Sequence, residues 1–384
     1  MAKATHPSTY PPLPPTTEDE RVSWLRLLRS RRVGPATFHR LLTEHGSARA
    51  ALDALPDIAR AAGVESYTSC PEGVARAEMA AARAQGARML CAGAKDYPAA
   101  LGELPDAPPI LWAVGDPGLL AQPGVAIVGA RNASSLGLRM ARALAKELGE
   151  AGYTVISGLA RGIDTAAHTA SLGHGTVAVM AGGVDVMYPA ENTRLGEEIG
   201  QKGLRLSEQA MGLIPQARHF PARNRIVSGL ARVVVVVEAA AKSGSLITAR
   251  LGLDQGREVM AVPGHPFDAR ASGCNMLLRD GAGLVRRAED VIELLPPAGK
   301  APAEAQPQLA LDTVPAPPPE KRTLRETAAL HSRILERLGP SPLAEDQLIR
   351  DLSAPTAQVT PVLTDLEMSG RIRRHPGGLV SLEQ

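Results

Sequence analysis

Six predicted strand-to-turn units between Gly124 and Gly264 deliver glycines, hydroxyls and basic side chains to one edge of a sheet, the residue types that hold phosphate rather than break bonds. They read Val-Ala-Ile-Val-Gly-Ala-Arg (125–131), Thr-Val-Ile-Ser-Gly-Leu-Ala-Arg-Gly-Ile-Asp (154–164), Val-Ala-Val-Met-Ala-Gly-Gly (177–183), Phe-Pro-Ala-Arg-Asn-Arg (220–225), a valine run leading into Glu-Ala-Ala-Ala-Lys-Ser-Gly-Ser-Leu-Ile-Thr-Ala (ending at 249), and Val-Met-Ala-Val-Pro-Gly (259–264). Glycine admits a close backbone approach, a helix start offers unpaired N–H groups, and arginine adds a fork of charged donors. Gly129 and Arg131 meet these needs in the first segment, and Ser157, Gly158, Arg161 and Gly162 in the second. Tight βα turns need glycine on structural grounds too, so no single glycine decides the matter.

The fourth and fifth segments are more specific. Between Met211 and Arg232 stand Arg218, Arg223, Arg225, Arg232 and His219, with no acid, interleaved with Phe220 and Asn224. Arginine beside an aromatic offers both phosphate pairing and a stacking surface, the combination that single-stranded nucleic acid uses. Lys242, Ser243, Gly244, Ser245 and Thr248 fall where a strand end opens a helix, a further phosphate cradle. Aromatics make up only 3 % of the chain, so backbone contacts should dominate, with weak sequence preference and strong salt dependence.

No catalytic constellation accompanies these residues. Glu238 is a candidate general base without a paired acid, a helix-start acid and a hydrogen-bonded histidine explain Asp164 and His168 as well as catalysis does, and Asp185 and Glu208 belong to no motif. A dinucleotide site would need three glycines as G-x-G-x-x-G and an acid ending the second strand; Gly129 is followed by Ala130 and Arg131, and that strand ends in Ser157-Gly158. Neither cofactor nor metal is called for. Cys70, Cys91 and Cys274 are widely spaced and odd in number, which fits a reducing cytosol better than disulfides or zinc. Net charge is +2, and no stretch reads as a signal peptide or membrane span, so a cytoplasmic protein is expected.

The elements that must position these residues follow from the hydrophobic pattern of the 384-residue chain. Residues 1–18 are rich in Pro and Thr and read as a disordered tail. Residues 19–95 read as a helical domain in which Trp24, Leu25 and Leu28, then Phe38, Leu41 and Leu42, flank Gly34-Pro35 as a helix-hairpin-helix. Proline-rich residues 96–119 read as a connection into a central domain ending at 295. There, β-rich runs alternate with helices such as 138–148 and 247–253, predicting a parallel sheet with its ligand beyond the strands' carboxyl ends. Residues 296–322 form a Pro-rich linker, and 323–384 give three helical segments and a two-strand wing. The third helical segment carries Asp365 and Glu367 and no basic residue, favouring protein contact over duplex reading.

These ordered blocks, with Gly-Cys-Asn-Met-Leu-Leu-Arg-Asp-Gly-Ala (273–282), closely resemble the DprA/Smf DNA-processing family. The resemblance implies an extended Rossmann-like parallel sheet, flanked by a small all-α, sterile-alpha-motif-like N-terminal domain and a C-terminal winged helix. It implies binding of single-stranded DNA by a homodimer that loads the recombinase RecA in natural transformation, with single-strand-binding protein as a further partner. Carried over by motif, Gly129, Arg131, Gly158, Arg161, Gly162, Arg218, Phe220, Arg223, Asn224, Arg225, Lys242, Ser243, Gly244, Ser245, Thr248 and Asn275 would contact DNA. Ala130 stands where a hydroxyl is usual, and Arg218 substitutes for a lysine common near Ala217. A dimer face is expected in 273–295, from Met276, Leu277, Leu278, Leu284, Val291 and Ile292. The rival reading is a Rossmann-type hydrolase of nucleotide N-glycosidic bonds using Glu238, but the Pro-Gly-Gly-x-Gly-Thr turn of those enzymes is absent.

Overall fold

The structure, a computed structural model, describes residues 13–298 and 324–382, the latter with gaps at 340–341, 353, 356–358, 361, 364–365, 368–370 and 376–378. The chain divides into two units, residues 1–303 and 304–384. Most of the expected tail and of the Pro-rich linker lies outside the described residues.

Four helices open the first unit: α1 (Glu18–Arg29), α2 (Pro35–His45), α3 (Ala48–Ala61) and α4 (Glu72–Ala84). Thr17 and Glu20 form a reciprocal capping box that starts α1, so ordered chain begins ahead of residue 19. Trp24 and Phe38 meet edge to face with ring centroids 5.1 Å apart, pinning the α1–α2 hairpin. Gly46, at φ +75°, ends α2.

Nine strands form one sheet: β1 (Arg88–Cys91), β2 (Ile110–Gly115), β3 (Gly124–Val128), β4 (Thr154–Ser157), β5 (Thr176–Val179), β6 (Leu204–Ser207), β7 (Val233–Val236), β8 (Glu258–Ala261) and β9 (Gly283–Leu284). Their order is β1-β2-β6-β5-β4-β3-β7-β8-β9. The seven strands from β6 to β9 run parallel, while β1 and β2 add an antiparallel edge. Chain order reverses between β3 and β7, which lie side by side with Val125 opposite Val233. That is the switch point where open α/β sheets leave a crevice.

The connecting helices are α5 (Ala99–Gly102), α6 (Ser135–Glu150), α7 (Ile163–Ser171), α8 (Thr193–Lys202), α9 (His219–Leu230), α10 (Ser245–Asp254), α11 (Ser272–Arg279) and α12 (Ala288–Ile292). One face of the sheet buries Val177, Leu206 and Val234 with Ile226 and Ala249; the other buries Ile127, Val155 and Val235 with Leu144 and Val291. Burial on both faces explains why these strands read as continuous apolar runs.

Four expectations need correction. Arg88–Cys91, assigned to the helical domain, is the edge strand of the sheet, and the supposed connection of 96–119 contains β2. The prolines around Ile110–Trp112 disguised a strand whose side chains join the core shared with α1–α4. Phe220–Arg225 follows no strand: it forms the first turns of α9, whose second half, Arg225–Leu230, is buried all round with Ile226, Val227 and Leu230 at helical spacing. Val291, offered for a dimer face, is fully buried in the core.

The second unit contains α13 (Leu324–Arg337), β10 (Leu343–Ala344), α14 (Glu345–Leu352), β11 (Ile372–His375) and β12 (Leu379–Leu382), with strand order β10-β12-β11. Ile334, Leu348, Leu363 and Val380 share its core. The third helical segment is described only at 359–360, 362–363 and 366–367; Asp365 lies outside the described residues. The arrangement is a winged helix.

Candidate nucleic-acid interface

A cleft of about 650 Å³ opens at the switch point. Its lining brings together Gly129, Arg131, Gly158, Phe220, Arg223, Asn224, Lys242, Ser243, Gly244, Ser245 and Thr248 of the expected residues. They come from the turns after β3, β4 and β7 and from the start of α9. A smaller cavity of about 370 Å³ shares Arg131, Gly158, Phe220 and Arg223 and adds Arg161 and Tyr188.

The first two turns lock onto each other. Ala130 donates its N–H to the Glu238 carbonyl at 2.7 Å, and its own carbonyl accepts from Ile163 N–H at 3.2 Å. Gly162 sits at φ +78°, and a Cβ there would lie 2.3 Å from that carbonyl, so no other residue fits. Ser157 offers nothing to a ligand, since its hydroxyl donates to Ile127 O at 2.7 Å and ties β4 to β3.

Arg223 reaches beneath the second turn. It is buried, and its Nη1 donates to the carbonyls of Val179, at 2.6 Å, and of Gly158. A Cβ on Gly158 would lie 1.9 Å from this guanidinium, so any other residue there displaces Arg223 from its carbonyl bonds. Asp164 accepts from the N–H groups of Gly158 (3.1 Å) and Ala160 (3.3 Å). Burial pushes the Asp164 carboxyl up, and the Arg223 charge opposes that shift. His168 is held between Thr176 Oγ1, 2.7 Å from Nδ1, and the N–H of Leu159; burial, with Arg223 nearby, pushes it down to about 3, so it is neutral.

The remaining wall is open. Arg131 is exposed, and its guanidinium carbon lies 5.2 Å from the Phe220 ring centroid, a cation–π arrangement. Tyr188 flanks the same ring at 5.7 Å. Sequence reasoning did not select Tyr188 for the site; its position before Pro189 in the loop after Gly182-Gly183 was the available signal. Lys242 is exposed, with no ion pair among the described residues, and nothing crowds Gly244 at the start of α10. Ser243 and Ser245 share a hydroxyl–hydroxyl hydrogen bond at 2.7 Å. These groups can pair with phosphates and stack one base.

Five expected contacts lie outside this lining, the first being Gly162, which packs on the Ala130 carbonyl as described above. Arg225 is turned from the cleft, buried in an ion pair with Glu208 and donating to Asp106 O at 2.8 Å. Glu208, pushed up by burial against the pull of Arg225, is thus that arginine's counter-ion. Asn275 accepts from Gly264 N–H at 3.1 Å and donates to Gly264 O at 3.0 Å, fastening the Val-Pro-Gly turn. Arg218 is exposed outside the lining, its Nε 3.2 Å from His219 Nε2. Arg161 faces the smaller cavity and pairs with Glu191 at 3.8 Å. Glu238 uses its carboxylate on the N–H and hydroxyl of Ser134, the residue that caps α6. Among the described residues no cluster of three potential metal ligands occurs, and no helix is long and apolar enough to cross a membrane.

Comparison with known proteins agrees with this architecture. Residues 18–81 match the DprA-like N-terminal HHH domain, 88–296 the DNA recombination-mediator protein A family, and 316–378 the DprA winged helix domain. The DNA processing protein DprA of Streptococcus pneumoniae is 46 % identical over 198 residues, 51 % of this chain and 70 % of that protein. Protein Smf of Escherichia coli is 34 % identical over 302 residues, 77 % of this chain and 78 % of its own. The X-ray structure of the pneumococcal protein superposes with a TM-score of 0.55 at 39 % identity, covering 62 % of this chain and 86 % of that one. DNA processing protein A from Helicobacter pylori, whose structure was described for its single-stranded DNA binding mode, gives 0.50 at 33 % identity, covering 54 % and 94 %. The chain belongs to the DNA recombination-mediator protein A family, the DprA/Smf DNA-processing proteins.

Proposed function

We propose that this protein binds single-stranded DNA in the switch-point cleft without acting on it chemically, and that as a homodimer it loads RecA onto incoming strands in natural transformation. The observation that carries the reading is Arg131 seated on Phe220 at the mouth of a cleft whose opposite side offers Lys242, Ser243 and the start of α10. A stacked base and its flanking phosphates fit that arrangement, and none of its contacts distinguishes one base from another. A binder also agrees with the engagement of Glu238, Asp164 and His168 in bonds within the protein.

Fluorescence anisotropy with single-stranded, duplex and mononucleotide ligands over a salt series tests the reading. With roughly four to six phosphates contacted, the log–log salt slope is about −3 to −4, from about −0.7 per phosphate. Equal affinity for duplex, a flat salt response, or release of free base from the mononucleotide would each sink it.

For the homodimer, the support is at the far edge of the sheet. There the short strand β9 ends the ladder and Leu253, Met276 and Leu284 are exposed. An uncovered strand edge beside apolar side chains is what a second copy would bury. Leu278 is half-buried against the core, so Leu253→Glu with Leu284→Glu is the cleaner variant. Light scattering should find it folded and monomeric; an unchanged dimer counts against this face.

A further inference from the structure

Beyond Arg131 the cleft continues into a groove of about 390 Å³ between the loop after β3, α6 and α7. Its lining includes Arg131, Asn132, Arg142, Thr165 and Thr169, and no Asp or Glu. Arg131 lines this groove and both cavities described above, so all three meet at one side chain.

Charge bookkeeping separates this groove from the other surfaces. Several exposed arginines nearby have an acidic partner, Arg161 with Glu191, Arg194 with Glu198 and Arg270 with Asp268, and Arg139, without an ion pair among the described residues, lines a groove that also holds Glu238 and Asp268. Arg142 and Arg131 likewise have no ion pair among the described residues, both are exposed, and they face a lining with no Asp or Glu. Two unpaired guanidinium groups in an acid-free trough create a positive potential open to water, and a polyanion gains most where no carboxylate competes. The groove on the other side of α6, of about 510 Å³, makes the contrast: it is lined by Arg139 and His265 but also by Glu238 and Asp268, and a phosphate chain would meet carboxylates there.

We infer that the Arg142 groove is a second stretch of the single-strand track, taking the phosphates that follow the base stacked at Phe220. The track runs from Lys242 across Phe220, over Arg131 and along Arg142 and Thr169. This rests on the single-strand reading above and extends it to a path and a footprint. Thr165 is already engaged with Ala160 O at 2.7 Å and with Asn192, so its role is to shape the trough, and Arg142 supplies the charge.

The test measures affinity and salt slope for oligothymidylates of about 4 and about 20 nucleotides, bracketing the footprints of single-strand grooves. Arg142→Glu is compared with Arg139→Glu, which makes the same charge change on the same helix but faces the acidic groove. Arg142→Glu should lower the slope for the long ligand by at least about 0.7, one phosphate contact, and weaken its binding severalfold. It should leave the short ligand near wild type, and Arg139→Glu should do markedly less to the long one. Equal losses in the two variants would mean that net charge and not the groove is felt, and would overturn the inference. So would a full-strength long ligand on Arg142→Glu. If wild type binds neither length, the single-strand reading fails first; if it binds both and Arg142→Glu changes nothing, only this extension fails.

Discussion

On the β4 side of the cleft Arg223, Asp164 and His168 are buried, and their hydrogen bonds end on other protein groups; on the β7 side Lys242 and Gly244 face open space. The same chemical vocabulary of glycine, arginine and hydroxyl is used for opposite ends. The β4 wall is a satisfied polar network that fixes where the second turn stands, while the β7 wall bonds Ser243 to Ser245 and leaves the Lys242 ammonium exposed with no ion pair among the described residues. Preorganisation of one wall lets the other bind without paying to order itself. Charge in a motif is therefore no guide to ligand contact until its partners are known.

The strongest way to break this comparison is Arg223→Ala. Removing the guanidinium leaves the carbonyls of Gly158 and Val179 without their donor and Asp164 without a neighbouring charge, all in a buried setting. A loss of about 3–5 kcal/mol in stability follows from removing one partner of a buried charged network. Urea unfolding reads it directly. A variant that keeps its midpoint and loses only DNA affinity would place Arg223 on the ligand side and erase the distinction between the walls.

The wall structure also explains what could be read in advance. Strand and helix alternation was legible because the β3–β8 strands are buried on both faces and show as unbroken apolar runs. Phe220 was legible because aromatics are scarce and this one stands among arginines. Arg223 and Arg225 could not be told apart, since side chains two residues apart on a helix point in different directions. Which direction meets a carbonyl and which meets Glu208 depends on strands distant in sequence. Strand β2 was hidden by flanking prolines, and Asn275 by its resemblance to a ligand contact when it fastens its own neighbouring turn.

A second prediction concerns pH and again separates the walls. His168 is held neutral, pushed down to about 3, whereas in the unfolded chain it takes a proton near pH 6.5. Its contribution is complete above about pH 6.5, and stability falls as pH drops from there towards about 3, because only the unfolded state binds the proton. Asp164 acts in the other sense at the acid end: its carboxyl is raised, so the folded state takes up a proton first. Comparison of wild type with His168→Gln isolates the histidine. Between about pH 7.5 and about pH 5 the melting temperature of wild type should drop further than that of the variant. Parallel drops would mean that His168 protonates in place and that the β4 wall is looser than its geometry implies.

The smallest effect, and the one that sharpens the comparison most, is expected from Lys242→Ala. The side chain is exposed and makes no ion pair among the described residues, so stability should stay within about 0.5 kcal/mol of wild type. Binding should weaken alike for every single-stranded sequence, with the salt slope reduced by about 0.7, the signature of one lost phosphate contact. Chemical denaturation and the anisotropy salt series, run on the same preparations as Arg223→Ala, set the two walls against each other. If Lys242→Ala lowers stability as Arg223→Ala does, the open wall is structural too. If it leaves the slope intact, phosphates do not reach the start of α10, and binding rests on the Arg131–Phe220 stack alone. The division of labour holds only if one variant moves the unfolding midpoint and the other moves the salt slope, because stability and affinity are then carried by different residues of a single cleft.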